Sequence, residues 1–198
     1  MQILLIRHGQ SEADILNVHE GKADFPLTDE GRKQARRMAA RVLEQFPPDF
    51  IWASTLKRAS ETASVLAETV GCPVQYIPEL QEHNNGDLAG KPLEEVPFPW
   101  GILPHEKLGG DGESKIEFRA RGEQIYSAIR HLSTSYKRIA IVSHGGMISR
   151  IIESYLQLPV LHDIYFGTGD TGIHLLEYNE YGRLIHFTNS TTHLDSMD

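Results

Sequence analysis

Short apolar runs and stretches of helical periodicity take turns along this chain, and that alternation constrains the fold more tightly than anything else in the sequence. Residues 2–6 form a mostly apolar run that stops at Arg7-His8-Gly9, the pattern of a buried strand ending in a polar turn. From Thr28 the apolar positions Ala35, Met38, Ala39, Val42, Leu43 and Phe46 recur on one helical face, and Pro47-Pro48 ends it. Ile51-Trp52-Ala53 reads as a second strand, and the helix after Ser54 carries Ala59, Ala63, Leu66, Ala67 and Val70 before Gly71 closes it. Residues 74–77 predict a third strand and residues 138–143 a fourth, followed by a helix over 147–158. Ser114 with Glu117 is a capping-box signature for a helix whose face holds Phe118, Ile125, Ile129 and Leu132. Two final runs, 173–178 and 183–187, flank Asn179-Glu180-Tyr181-Gly182 and predict a hairpin.

Strands separated by helices need right-handed crossovers. The expected fold is therefore α/β: a three-layer sandwich with a mainly parallel central sheet, helices on both faces and a C-terminal hairpin. No repeat or clear boundary divides the chain, so residues 1–198 read as one domain with an irregular insert at about 83–113. That insert is rich in proline and glycine, and a loop of such length in a compact domain is usually a lid, a binding loop or a mobile segment. Its Phe98, Trp100, Ile102, Leu103, His105 and Lys107 either border a ligand or pack over the sheet edge.

Composition narrows the function classes. Lys+Arg number 19 and Asp+Glu 27, a formal charge of −8, and no basic run exceeds Lys57-Arg58 or Arg36-Arg37. Such a chain lacks the clustered cations that release counter-ions from nucleic acid. Cys72 is a lone cysteine, so no intramolecular disulfide forms, and the N-terminal apolar run meets Arg7 too early for a signal peptide. No apolar run approaches the ~20 residues of a membrane span. The expectation is a cytoplasmic protein with neither nucleic acid nor membrane as partner. Histidine is unusually frequent, with 10 copies, yet there is no His-Glu-x-x-His and no cysteine pair, so neither a metal nor a cofactor is expected.

In parallel sheets ligands bind beyond the carboxyl ends of the strands. The polar residues there are Arg7 and His8, Ser54 through Arg58, Glu82, and His144. Arginine presents a planar fork of donors that matches phosphate oxygens, so two arginines at one edge imply a bound phosphoryl group. A neutral imidazole has a lone pair that can attack phosphorus and form a covalent intermediate, and either histidine qualifies. The departing alkoxide needs a proton, which a carboxylic acid can deliver. Glu82 fits that task; Glu79 and His83 lie close enough to compete, and the spacing to Gly86 favours Glu82. The second histidine, cationic or hydrogen-bonding, would stabilise charge on the equatorial oxygens without a metal. His19, His105, His131, His162, His174, His186 and His193 read as surface or packing residues.

Three local patterns lead elsewhere and fail on context. The run 167–172 has dinucleotide-loop spacing but leads into a strand-like segment rather than a helix. The run 86–92 is one residue short of a phosphate loop and ends in proline. His144-Gly145-Gly146 resembles an esterase oxyanion loop, but no Gly-x-Ser-x-Gly elbow accompanies it.

Leu5-Ile6-Arg7-His8-Gly9-Gln10-Ser11 resembles the signature of the histidine phosphatase superfamily, which includes cofactor-dependent phosphoglycerate mutases and many small phosphatases. Asp24-Phe25-Pro26-Leu27-Thr28 with Gly31, Ser54-Thr55-Leu56-Lys57-Arg58-Ala59, Leu80 and Glu82 with Gly86, Gly112-Glu113-Ser114, and Val142-Ser143-His144-Gly145-Gly146 follow in the family's order. The resemblance implies that His8 is phosphorylated, Arg7 and Arg58 hold the phosphate, Glu82 donates the proton and His144 is the second pocket histidine. Gly9, lacking a side chain, is expected to let backbone N–H groups approach an oxyanion, and Ser11 to add a hydroxyl donor from the start of the next helix. Many members have asparagine where this chain has Asp14; a carboxylate there repels phosphate unless turned away or protonated, so no ligand role is carried over. The chain stops soon after its hairpin, which favours the small phosphatase branch. The expected activity is metal-independent hydrolysis of a small phosphorylated metabolite through phosphohistidine. A phosphoglycerate mutase and a non-catalytic phospholigand-binding regulatory protein are the alternatives.

Overall fold

Residues 1–99 and 101–195 are described in a computed structural model, so Trp100 of the insert lies outside the described residues. Among them, β1 (Gln2–Arg7), β2 (Phe50–Ser54), β3 (Val74–Ile77), β4 (Arg138–Ser143), β5 (Ile173–Asn179) and β6 (Gly182–Ser190) form one sheet in the order β3-β2-β4-β1-β5-β6. β1 to β4 run parallel, and the β5–β6 hairpin joins the edge of β1 antiparallel. The helices are α1 (Glu12–Leu16), α2 (Asp29–Gln45), α3 (Lys57–Val70), α4 (Lys115–Leu132) and α5 (Gly145–Leu156).

Alternation along β1 explains the layers. Leu4 and Ile6 pack with Met38, Ala39 and Val42 of α2 and with Ala63 and Leu66 of α3. Ile3 and Leu5 face the other way, onto Ile125 and Ile129 of α4 and Ile148, Ile151 and Tyr155 of α5. A strand covered on both faces must be apolar throughout, which is why the run was legible in the sequence. Each fully buried leucine or isoleucine contributes about 1.5–3 kcal/mol, so this double coverage dominates the stability of the central strands.

Helix ends follow local chemistry. Thr28 Oγ1 accepts from Gly31 N at 2.9 Å to start α2, and Gly71 closes α3 with φ 74°. Ser114 and Glu117 bond reciprocally at the start of α4. α5 begins at Gly145, two residues before the predicted start, because His144 is the extended N-cap and both glycines sit in the first helical turn.

Among its described residues the insert holds the short 3₁₀ turn Gly86–Leu88. It is laced to the segment after α1: His19 N donates to Lys91 O at 2.9 Å, Gly90 N to His19 O at 2.8 Å and Leu93 N to Asn17 O at 3.0 Å. Phe98 stacks on His19, while Leu103 is exposed and Lys107 pairs with Glu117 on α4. No helix among the described residues is long and apolar enough to cross a membrane.

The topology opens one crevice. β1 and β4 are neighbours, but β1 leads to α2 on one face and β4 leads to α5 on the other. Arg7 pairs with Ser143 across these two strands, so His8 and His144, each one residue further on, emerge side by side.

Candidate active site

His8 and His144 lie with ring centroids 5.1 Å apart, and both are buried. The main chain of His8 is held on two sides, its N–H by Ser143 O at 3.0 Å and its carbonyl by Thr171 N at 3.1 Å. Its Nδ1 lies 2.8 Å from Gly9 O; a carbonyl only accepts, so Nδ1 carries the proton and Nε2 keeps its lone pair. Burial, reinforced by the positive charges of Arg7 and Arg58, holds His8 well below the ordinary histidine range against the opposing pull of Gly9 O. The ring is neutral at pH 7, with a nucleophilic lone pair.

His144 is lowered by burial first and then by Arg58, His8 and Arg7. Its Nε2 is 2.8 Å from Ser54 Oγ, at the end of β2. Of the two roles open to the second histidine, hydrogen-bonding fits this environment and cationic does not.

Arg58, in the first turn of α3, is completely buried. Burying a charge is costly unless it is hydrogen-bonded, and each of the three Arg58 nitrogens has a partner. Nη1 donates to Ala23 O at 2.8 Å and Nη2 to Gly21 O at 2.9 Å, while Nε–H points to His8 Nε2 at 3.2 Å. Arg7 donates through Nη1 to Thr168 O at 2.8 Å and pairs with Asp170 at 3.6 Å. Burial raises Asp170, and Arg7 opposes that.

Glu82 arrives from the turn after β3. Its Oε2 accepts from Gly146 N at 2.8 Å and its Oε1 from His83 N at 2.8 Å. A Cβ on Gly146 would fall 2.3 Å from Glu82 Oε1, so the glycine is needed for this carboxylate to reach the start of α5. The backbone around Glu82 hangs on Arg121 of α4, which donates to Glu79 O at 2.7 Å, Gln81 O at 2.8 Å and Glu82 O at 2.9 Å. The same guanidinium forks onto Glu113, both contacts at 2.7 Å. Burial alone would raise Glu113, but Arg121 and the Asn84 N–H hold it below the ordinary carboxylate range. The competing proton donors are spoken for: Glu79 is exposed, and His83 stacks on Phe118 at 4.6 Å with Nε2 on Glu113 O.

Two sequence assignments need correcting. Gly9 was expected to open backbone N–H groups to an oxyanion, but its N–H donates to Thr62 Oγ1 at 3.2 Å. The missing side chain serves packing instead, since a Cβ there would lie 2.6 Å from Gly31 O. Ser11 was expected to offer a hydroxyl to phosphate, but it is the buried N-cap of α1 and its single O–H is taken up by Glu20 Oε1, with Asp14 Oδ2 3.1 Å away. Asp14 is turned away from the crevice: its Oδ2 accepts from Ser11 N at 2.7 Å.

Sequence reasoning missed Glu20, Arg121 and Asp170. Glu20 Oε1 is 3.6 Å from Arg58 Nε and its Oε2 4.0 Å from His8 Nε2, inside the crevice. Glu20 and Arg121 stand in no local pattern, and Asp170 lies in the run 167–172, whose spacing suggested a dinucleotide loop instead. The one available pointer was Gly112-Glu113-Ser114, whose glutamate turns out to be the partner of Arg121.

Comparison with known proteins places this geometry. The family model described as histidine phosphatase superfamily (branch 1) matches residues 3–191. The adenosylcobalamin/alpha-ribazole phosphatase of Salmonella typhimurium is 30% identical over 166 residues, covering 80% of this chain and 81% of the relative. The probable phosphoglycerate mutase GpmB of Yersinia enterocolitica is 28% identical over 98% of this chain and 95% of its own. The crystal structure of the alpha-ribazole phosphatase from Shigella flexneri superposes with a TM-score of 0.85 at 27% identity, covering 96% of this chain and 97% of that one.

Proposed function

The chain belongs to the histidine phosphatase superfamily, branch 1, as a phosphatase of that family, and from this premise we propose that it hydrolyses a small phosphorylated metabolite through phospho-His8, without a metal. The observation that carries the reading is the state of His8: neutral, with its tautomer set by Gly9 O, and with Nε2 facing a guanidinium at the open end of the sheet.

In the first step the Nε2 lone pair attacks phosphorus between Arg7 and Arg58. The bond to the leaving oxygen breaks, and the Glu82 carboxyl gives that oxygen a proton. In the second step the Glu82 carboxylate takes a proton from water, the resulting hydroxide attacks phosphorus, and the N–P bond breaks to regenerate neutral His8 and release inorganic phosphate. His144, neutral, supplies an N–H to the phosphoryl oxygens, whose charge the two arginines balance.

Quenching the enzyme during turnover of labelled substrate should trap acid-labile phosphate on His8, in equal amount with and without EDTA. Full turnover by His8→Ala, or abolition by EDTA, would sink this mechanism. The Yersinia relative, matched over 98% of the chain, favours a second reading as a phosphoglycerate mutase. Phosphate release measured beside 2-/3-phosphoglycerate interconversion separates the two, and interconversion outpacing release would replace the hydrolase reading.

A further inference from the structure

The crevice contains a carboxylate of its own. Glu20, between α1 and α2, accepts a hydrogen bond from Ser11 Oγ at 2.5 Å, lies 3.6 Å from Arg58 Nε and 4.0 Å from His8 Nε2, and is 22% exposed where Arg58 and His8 are almost completely covered. We propose that Glu20 is an internal occupant of the phosphoryl site, which holds Arg58 against His8 in the resting protein, competes with the incoming phosphate, and swings outward before His8 can attack. The proposal deepens the phosphatase reading and rests on it.

Three observations carry it. All three nitrogens of Arg58 are engaged: one N–H of each terminal nitrogen serves Gly21 O or Ala23 O, and Nε–H points to His8 Nε2 with Glu20 Oε1 3.6 Å away. The lone pair that has to reach phosphorus is the one that accepts from Arg58 at 3.2 Å, so the nucleophile is capped until that N–H finds another acceptor. A phosphoryl oxygen in the place of the Glu20 carboxylate would be such an acceptor.

The third observation is charge. Facing Glu20 are His8 beyond β1, Arg58 on α3 and, through Ser11, Asp14 on α1. Arg7, paired with Asp170, Glu82, and Arg121, whose charge acts on His144, are the other charged groups around the crevice, and burial leaves both histidines neutral. A phosphate dianion approaching Arg58 and His8 with Glu20 in place would therefore meet a like charge at the same guanidinium. Removing the Glu20 carboxylate removes that repulsion. Its partial exposure provides the way out.

The test is the affinity for inorganic phosphate, measured by titration calorimetry, which needs no turnover. Glu20→Gln keeps the shape and removes the charge, and at pH 7.5 it should bind phosphate roughly tenfold more tightly than the wild type. With p-nitrophenyl phosphate the gain should appear as a lower KM. Glu20→Asp, which retracts the charge by one methylene, should lie between the two and serves if the glutamine variant does not fold. Phosphate binding that is equal or weaker in the folded variants would overturn the proposal and make Glu20 a brace for Arg58. Absence of phosphate binding in wild type and variants alike would bring down the phosphatase reading, and the proposal with it.

Discussion

The floor of the crevice and its wall are built on different principles. The floor consists of Arg7, His8, Ser54 and His144, each at or just beyond the end of a central strand, and its geometry is a by-product of sheet register. The wall consists of the segment after α1, the turn carrying Glu82 and the insert, and it hangs on a few long-range polar contacts such as Arg121 with the Glu82 carbonyl and His19 with Lys91. Register is shared among many residues, so the floor can lose one side chain's chemistry without losing its shape. The wall can lose its shape through one side chain that performs no chemistry.

The largest effect should come from the floor. His8→Ala removes the proposed nucleophile, and turnover should fall by about 10⁴-fold or more while the thermal midpoint stays close to wild type. A collapse of the fold in this variant would break the comparison, because it would make the floor as fragile as the wall. Arg121→Ala, in the wall, should lower kcat by about 10²-fold through displacement of Glu82. Positioning has a signature that general destabilisation lacks: the loss should be large for alkyl phosphates, which need a proton on the leaving oxygen, and small for p-nitrophenyl phosphate, which does not. Equal losses for both substrates would detach Arg121 from Glu82.

Gly9→Ala tests packing under the floor. A methyl 2.6 Å from Gly31 O forces the backbone apart, and the expected cost is about 1–3 kcal/mol of stability by denaturant titration. An unchanged midpoint would return Gly9 to its expected ligand-facing role.

The smallest effect is a slope. His8, His83 and His144 are lowered in the folded protein, and His174 and His193 are pushed down to about 4. Below about pH 6.5 the unfolded chain binds protons that the folded chain refuses, so stability should be full above that pH and fall as pH drops toward 4. Glu113, lowered by Arg121, adds a loss of the same sign at lower pH. His174→Gln should flatten the dependence of the thermal midpoint on pH by about one proton's share. A midpoint that rises on acidification would mean that these rings are not buried neutral.

The central strands were legible because burial on both faces demands unbroken apolar runs, and the long helices because one face of each must be apolar. Strand ends then marked where Arg7, His8, Glu82 and His144 would emerge. The short α1, Glu12–Leu16, left no periodic trace of its own because five residues make less than two helical turns. The start of α5 was misread because paired glycines look like a turn when the residue before them is not yet known to be an N-cap.

The site was legible in its chemistry and hidden in its environment. A motif shows that two arginines and two histidines belong together, and from those alone the crevice reads as a positive pocket. The carboxylates that offset it, Glu20 and Asp170, come from segments whose path is set by packing and by backbone hydrogen bonds to distant loops.

By itself, then, the sequence determined which residues stand at the strand ends, since periodicity and burial are properties of neighbours along the chain. Only the tertiary structure decided what each residue is surrounded by: whether Gly9 opens a site or fits a contact, whether Ser11 faces a ligand or a cap, and which carboxylate rests against Arg58. Desolvation and charge act through space, and the residues that supply them need no spacing in the sequence.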